Sequence, residues 1–265
     1  MSRYPCRIVC LTEETTETLY LLGEQERIAG ISGYTVRPPR ARREKPKISA
    51  FISAKTDAIL ALEPDLVLGF SDLQADIARD LVRAGLNVHI FNQRTVQGIL
   101  DMISLLGAMV GASAKAETLV MQYQENLDRI RNRAGSYNIR PRVYFEEWPD
   151  PVISGIGWVS ELVEIAGGVD CFGELSAAPL AKDRIIANTD EIIRRQPDIM
   201  IGSWCGRKFQ PKQVRQRPGW DAIPAVRDGA LFEIKSPEIL QPGPAALTDG
   251  LAALDRIIRG WVEER

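Results

Sequence analysis

Two pairs of adjacent glutamates, Glu13-Glu14 and Glu146-Glu147, are the first residues in this chain to invite a chemical reading. Paired carboxyls serve glycoside hydrolysis when they flank a bond. Neighbours at a strand end point in opposite directions, so Glu146-Glu147 makes no such couple by itself. The single histidine, His89, lies inside the apolar run Val88-His89-Ile90-Phe91 and reads as a packed residue, not a general base. There is no Gly-x-Ser-x-Gly elbow and no glycine-rich phosphate loop leading into a lysine. The four cysteines (Cys6, Cys10, Cys171, Cys205) show neither CxxC nor metal-ligand spacing. They read as small buried hydrophobes, with Cys205, next to Trp204, the one that would face a site. No metal site, catalytic cofactor or catalytic residue emerges. The types present suit recognition: acids and serines for hydrogen bonding, and tryptophans for apolar contact.

The elements that must position these residues show themselves in a phrase that occurs twice. Thr56-Asp57 leads by seven residues into Pro64-Asp65 and the apolar run Leu66-Val67-Leu68-Gly69. Thr189-Asp190 leads in the same way into Pro197-Asp198 and Ile199-Met200-Ile201-Gly202. A helix that stops at Pro-Asp and feeds a buried parallel strand accounts for each copy. The repeat predicts an α/β protein of two Rossmann-like lobes, each with a central parallel sheet, and a ligand cleft between them. From Ser113 to Ala134 the apolar residues recur at steps of three and four, with a serine to cap and Gly135 to stop. That helix would span roughly 33 Å and would join the lobes. The division expected is an N-terminal lobe over 1–112, a bridging helix over 113–135 and a C-terminal lobe over 136–265.

Other segments fit this frame. Residues 6–11, 28–33, 65–69, 88–91, 142–145 and 231–234 read as strands, and 15–22, 72–84, 96–110 and 159–166 as helices. Residues 34–46, with five basic residues and three prolines, read as an extended rim loop, either solvated or in contact with an anion. In open α/β sheets the loops at the carboxyl ends of the strands carry the ligand. Those loops would present Glu13, Glu14, Tyr34, Phe70, Trp148, Trp158, Ser203 and Trp204. The tryptophans, Tyr34 and Phe70 would be the apolar walls, and Glu13, Glu14 and Ser203 the polar contacts.

With these pieces in order, the chain resembles the helical-backbone, BtuF-like substrate-binding proteins of ABC importers, the cobalamin-binding branch. The resemblance covers nearly the whole chain. It rests on Arg7-Ile8-Val9 with Thr16-Glu17-Thr18-Leu19 and Leu22-Gly23, and on both Pro-Asp repeats. It continues in Leu162-Val163-Glu164-Ile165-Ala166-Gly167-Gly168, and in Pro242-Gly243-Pro244 before the last helix. It implies a non-enzymatic protein whose lobes move little. It also implies that an acidic residue on each lobe pairs with permease arginines, which by position is Asp57 and Asp190. The family commonly has glutamate there, and an aspartate after threonine at a helix start is also a capping and dipole residue.

The ligand that best fits the residues is a cobalamin-like corrinoid, which brings its own metal ligands, a broad face and neutral amides. Haem would need an axial ligand from Tyr34 or Cys205. A ferric siderophore would want arginines, against which Glu13, Glu14, Glu146 and Glu147 would act. Haem or a siderophore remains the alternative ligand, and a corrinoid-modifying or metal-chelating enzyme the alternative class. A net charge of −2 gives no general attraction to nucleic acid, and no apolar run is long enough to insert into a membrane. No leader precedes the first strand, which implies a cytoplasmic protein if Met1 is the native start and a periplasmic one if a leader was removed.

Overall fold

The computed structural model describes residues 3–49 and 56–265. They divide into two compact units. The first holds the residues up to 93 and Gln97–Gln122, and the second holds Arg94–Val96 and Tyr123–Arg265.

The first unit runs β1 (Ile8–Cys10), α1 (Glu13–Leu21), β2 (Ile28–Ser32), α2 (Ala41–Glu44), β3 (Lys47–Ser49), α3 (Thr56–Leu60), β4 (Leu66–Phe70), α4 (Ala75–Arg83) and β5 (Val88–Phe91). Its parallel sheet has the order β3-β2-β1-β4-β5. The chain winds outward one way from β1, returns, and winds out the other way. The switch point therefore lies between β1 and β4. Burial on both faces explains the unbroken apolar runs Ile8-Val9-Cys10 and Leu66-Val67-Leu68. Val9, Leu11, Ile59, Val67 and Leu81 form the core of this unit. Next come α5 (Val96–Met109) and α6 (Ser113–Ala134), which starts in one unit and ends in the other.

The second unit comprises β6 (Arg142–Pro149), β7 (Val152–Ser154), α7 (Gly157–Ile165), β8 (Val169–Asp170), α8 (Gly173–Ser176), α9 (Asp190–Arg195), β9 (Ile199–Gly202), α10 (Pro211–Arg215), α11 (Pro224–Arg227), β10 (Leu231–Glu233), α12 (Ser236–Ile239) and α13 (Leu251–Glu263). Its sheet has the order β10-β9-β6-β7, with β8 also paired to β6. Only β7 is antiparallel. Strands lie on both sides of β6, and the switch point falls between β6 and β9.

The repeated phrase has one physical meaning in both units. The Asp65 carboxylate accepts the backbone N–H groups of Cys6 (2.7 Å) and Arg7 (3.0 Å). The Asp198 carboxylate accepts the Arg142 backbone N–H at 2.8 Å. Each aspartate thus latches the entry of its own strand to the entry of the central strand beside it. The residue before each proline, Glu63 or Gln196, takes a left-handed turn (φ 46° and 48°), which ends the helix and turns the chain into the strand.

Three local expectations are corrected. α1 starts two residues earlier than the apolar spacing indicates and takes Glu13 and Glu14 into its first turn, where the helix dipole favours acids. The basic segment after β2 is no extended rim loop: it holds α2, and three of its five cations are engaged internally. Arg42 donates to the carbonyls of Gly33 (2.7 Å) and Thr35 (2.8 Å), Arg37 pairs with Glu17 (2.8 Å), and Arg40 lies over the Tyr20 ring. β6 continues to Pro149 and forms a hairpin with β7, so Glu146, Glu147 and Trp148 lie on a strand.

Candidate functional site

The ligand-bearing end of the first sheet is built by the segment after β1 and by the turn after β4. Thr12 to Thr18 is buried throughout, although every residue in it is polar or charged. The Glu14 carboxylate accepts the Thr12 hydroxyl, and one oxygen each of Glu13 and Glu14 is buried with no hydrogen-bond partner among the described residues. Burial raises the Glu13 carboxyl to about 8, with help from the charge of Glu17 and against the backbone N–H groups of Val36 and Arg37. Burial likewise raises Glu14 to about 7, opposed by the Thr12 hydroxyl. Both acids therefore hold protons near neutrality far more than an exposed glutamate would. Phe70 ends β4 and is buried, its N–H bound to Gln74 Oε1 at 2.9 Å. Tyr34, just past β2, is 66% exposed.

In the second unit the corresponding end is organised by Glu146, which is fully buried. Its carboxylate receives four donors: the Tyr144 hydroxyl (2.8 Å), the Trp204 indole N–H (3.0 Å) and both ends of the Arg217 guanidinium (2.6 and 2.8 Å). Glu147 points elsewhere and pairs with buried Arg184 at 2.7 Å. The divergence of adjacent strand residues thus holds, and it separates the two acids into two structural ion pairs. Arg184 and Arg217 carry no local signal in the sequence, lying 37 and 71 residues from their partners. The one available hint is an acid, Glu146, set directly after the apolar run Val143-Tyr144-Phe145, where burial demands a cation.

The predicted aromatic walls differ in character. Trp158 does not lie in a loop: it occupies the first turn of α7, buried, with its indole N–H on the Ile239 carbonyl at 2.8 Å. Trp204 is also buried, edge-on to Phe209 at 5.1 Å between ring centres. Trp148 is half-buried, and its N–H is satisfied by the Asp150 carbonyl at 2.8 Å. Ser203 is buried with a hydroxyl that has no partner among the described residues. A cavity of about 490 Å³ opens beside Trp204, between the loops that follow β9 and β10.

The remaining candidates separate cleanly. His89 is half-buried against Phe91, and burial lowers its pKa. Cys10 is buried, Cys171 half-buried and Cys205 exposed, and Cys6 is exposed as well, which corrects its reading as a small buried hydrophobe. Asp57 and Asp190 are exposed in the first turns of α3 and α9. Asp190 is no cap: Asn188 accepts its backbone N–H at 3.0 Å. Among the described residues no group of His, Cys, Asp and Glu could hold a metal ion, and no helix is long and apolar enough to cross a membrane.

Two doubly wound units of this kind place polar and aromatic groups at the carboxyl ends of their strands, where open α/β sheets carry ligands. The chain belongs to the periplasmic binding protein family, which it matches over residues 8–238. It is a substrate-binding protein of the ABC-importer type and not an enzyme. It is 25% identical, over 96% of its length and 80% of the relative's, to YvrC of Bacillus subtilis, described as an uncharacterized ABC transporter substrate-binding lipoprotein. It is 25% identical to the vitamin B12-binding protein of Vibrio parahaemolyticus, over 91% of this chain and 85% of that one. The fold is shared with the solved heme-binding protein RhuT of Roseiflexus (TM-score 0.77, 22% identity, 95% of this chain and 98% of that one).

Proposed function

We propose that this protein captures a cobalamin-like corrinoid and delivers it to an ABC permease. The observation that carries the reading is that an aromatic short of full burial stands at the ligand end of each sheet: Tyr34, exposed, in the first unit and Trp148, half-buried, in the second. The polar edge of Trp148 is already satisfied, and the part of its ring that does not pack on the core of the second unit offers apolar contact to a broad, flat molecule. A corrinoid needs no metal ligand from the protein, in keeping with the chemistry of the loops, and a relative of nearly the same length is named for vitamin B12. Glu13, Glu14, Phe70, Ser203 and Trp204 frame the same ends of the sheets, while Trp158 supports α7 from within. Family membership favours the periplasmic side of the two compartments over the cytoplasm.

A second reading, haem or another anionic chelate, is favoured by one specific finding. The acids that would repel an anion are neutralised. Glu146 and Glu147 are paired with arginines, and Glu13 and Glu14 hold protons near neutrality. Calorimetric titration with cyanocobalamin, aquocobalamin, cobinamide, haemin and a ferric siderophore decides between them. Binding of the corrinoids alone is the expected result, and a response only to haemin or siderophore would replace the ligand. Within the corrinoid reading, Trp148→Ala and Trp204→Ala should each weaken binding more than about tenfold, a loss of ~1.4 kcal/mol or more. Full affinity in both variants would remove these loops from the site.

A further inference from the structure

The cavity beside Trp204 has a charge that the family likeness does not explain. It is lined by Arg207, Lys208 and Lys235, against which stands one acid, Glu233. One oxygen of Glu233 is taken up by the Phe209 backbone N–H at 2.9 Å. Four other arginines of this unit are matched to carboxylates: Arg184 to Glu147, Arg217 to Glu146, and Arg194 and Arg195 to Glu191. Arg207, Lys208 and Lys235 make no ion pair among the described residues. Arg207 instead lies over the Trp204 ring at 5.2 Å and donates to Gln213 at 3.1 Å. That contact holds a guanidinium at the rim of an apolar floor, while Ser236 adds a hydroxyl to the lining.

We infer that this cavity binds an anionic oxygen group carried by the ligand. The inference rests on the proposed site and specifies the part of the ligand that the second unit reads. The cavity volume is that of a small-molecule subsite. Its three cations converge from two loops at adjacent strand ends, where a phosphate or carboxylate would meet a net positive field. Two sources supply that chemistry: the phosphodiester in the nucleotide arm of a complete cobalamin, or the propionate carboxylates of haem.

The test uses the full chain and the double variant Lys208→Gln/Lys235→Gln. Arg207 is left in place so that its contact with Trp204 survives. Both lysines are exposed, so the melting temperature should match the wild type, and that match is checked first. Cobalamin affinity should fall about tenfold, as expected for the loss of two partly screened charge contacts, while affinity for cobinamide, which lacks the phosphate arm, stays unchanged. Raising the salt concentration should weaken cobalamin binding by the wild type more than cobinamide binding. If haemin is the ligand, the loss should fall on haemin and spare its dimethyl ester. Equal losses for both members of a pair, or no loss for either, overturn the inference and leave the ligand class standing. A wild type that binds only the haem pair overturns the corrinoid reading, and the ester comparison then still decides this one.

Discussion

Glu146 concentrates more of the second unit's electrostatics than any other side chain described. A buried carboxylate that receives four donors is stable only while its cation stays. Arg217→Met should therefore destabilise the protein by about 3–5 kcal/mol, whereas the double variant Glu146→Leu/Arg217→Met should recover part of that loss, because no charge is then stranded. Chemical unfolding of the three proteins measures this; a loss under ~1 kcal/mol in the single variant would show that the pair is dispensable. Glu13 and Glu14 give a second expectation at this scale. Their folded values, about 8 and about 7, lie above the ordinary 4.5, so the folded state holds protons that the unfolded chain has released. Their contribution is complete below about 4.5 and is lost as the pH rises toward 8. Glu13→Gln should flatten that decline when unfolding is followed from pH 5 to pH 9; an unchanged slope would mean that the carboxyl is solvated. The sequence shows that these acids exist. It does not show that Glu146 is a structural anchor and Glu13 a buried neutral acid, because their partners and surroundings come from distant segments.

At the scale of elements, the repeat was legible because it is a local rule. A proline stops a helix, an apolar run makes a strand, and an aspartate between them latches the neighbouring strand. Asp65→Ala and Asp198→Ala should each cost about 1–3 kcal/mol, as hydrogen bonds to charged groups do, with the loss read as a lower urea midpoint. The end of β9 is tighter still. A Cβ at Gly202 would meet the Phe209 ring at 2.0 Å, so Gly202→Ala must push that ring off its contact with Trp204. A loss of about 1–3 kcal/mol is expected from such overpacking. The long helix α6 was readable from its periodicity to the residue, since nothing in it competes with the 3.6-residue repeat. The segment after β2 was misread because a run of arginines looks solvated when the carbonyls that receive Arg42 are met only by folding the segment back on itself and the carboxylate that receives Arg37 lies in α1. The turn expected around Trp158 failed for the opposite reason: the glycine there opens a helix, packed so that a Cβ at Gly157 would strike the Arg94 carbonyl at 2.4 Å.

For the whole molecule, the proposed function makes the chain a carrier whose work ends at a partner. Asp57 and Asp190, exposed at the starts of equivalent helices, are proposed as the permease contacts. Asp57→Arg/Asp190→Arg should abolish uptake in cells or vesicles while ligand affinity stays within about twofold, a change of ~0.4 kcal/mol. Normal uptake would return both residues to a helix-start role. The uneven burial of the cysteines has a practical consequence. Burial drives the Cys10 and Cys171 thiols up to about 12, and Cys10 is also sealed from solvent, so neither is readily alkylated at neutral pH. Cys205 is exposed one residue from the Trp204 floor, and Cys6 is exposed far from it in the chain. The molecule therefore carries its own chemical footprint. Modification at Cys205 should slow as ligand fills the adjoining cavity, while modification at Cys6 proceeds at a constant rate and serves as the internal clock.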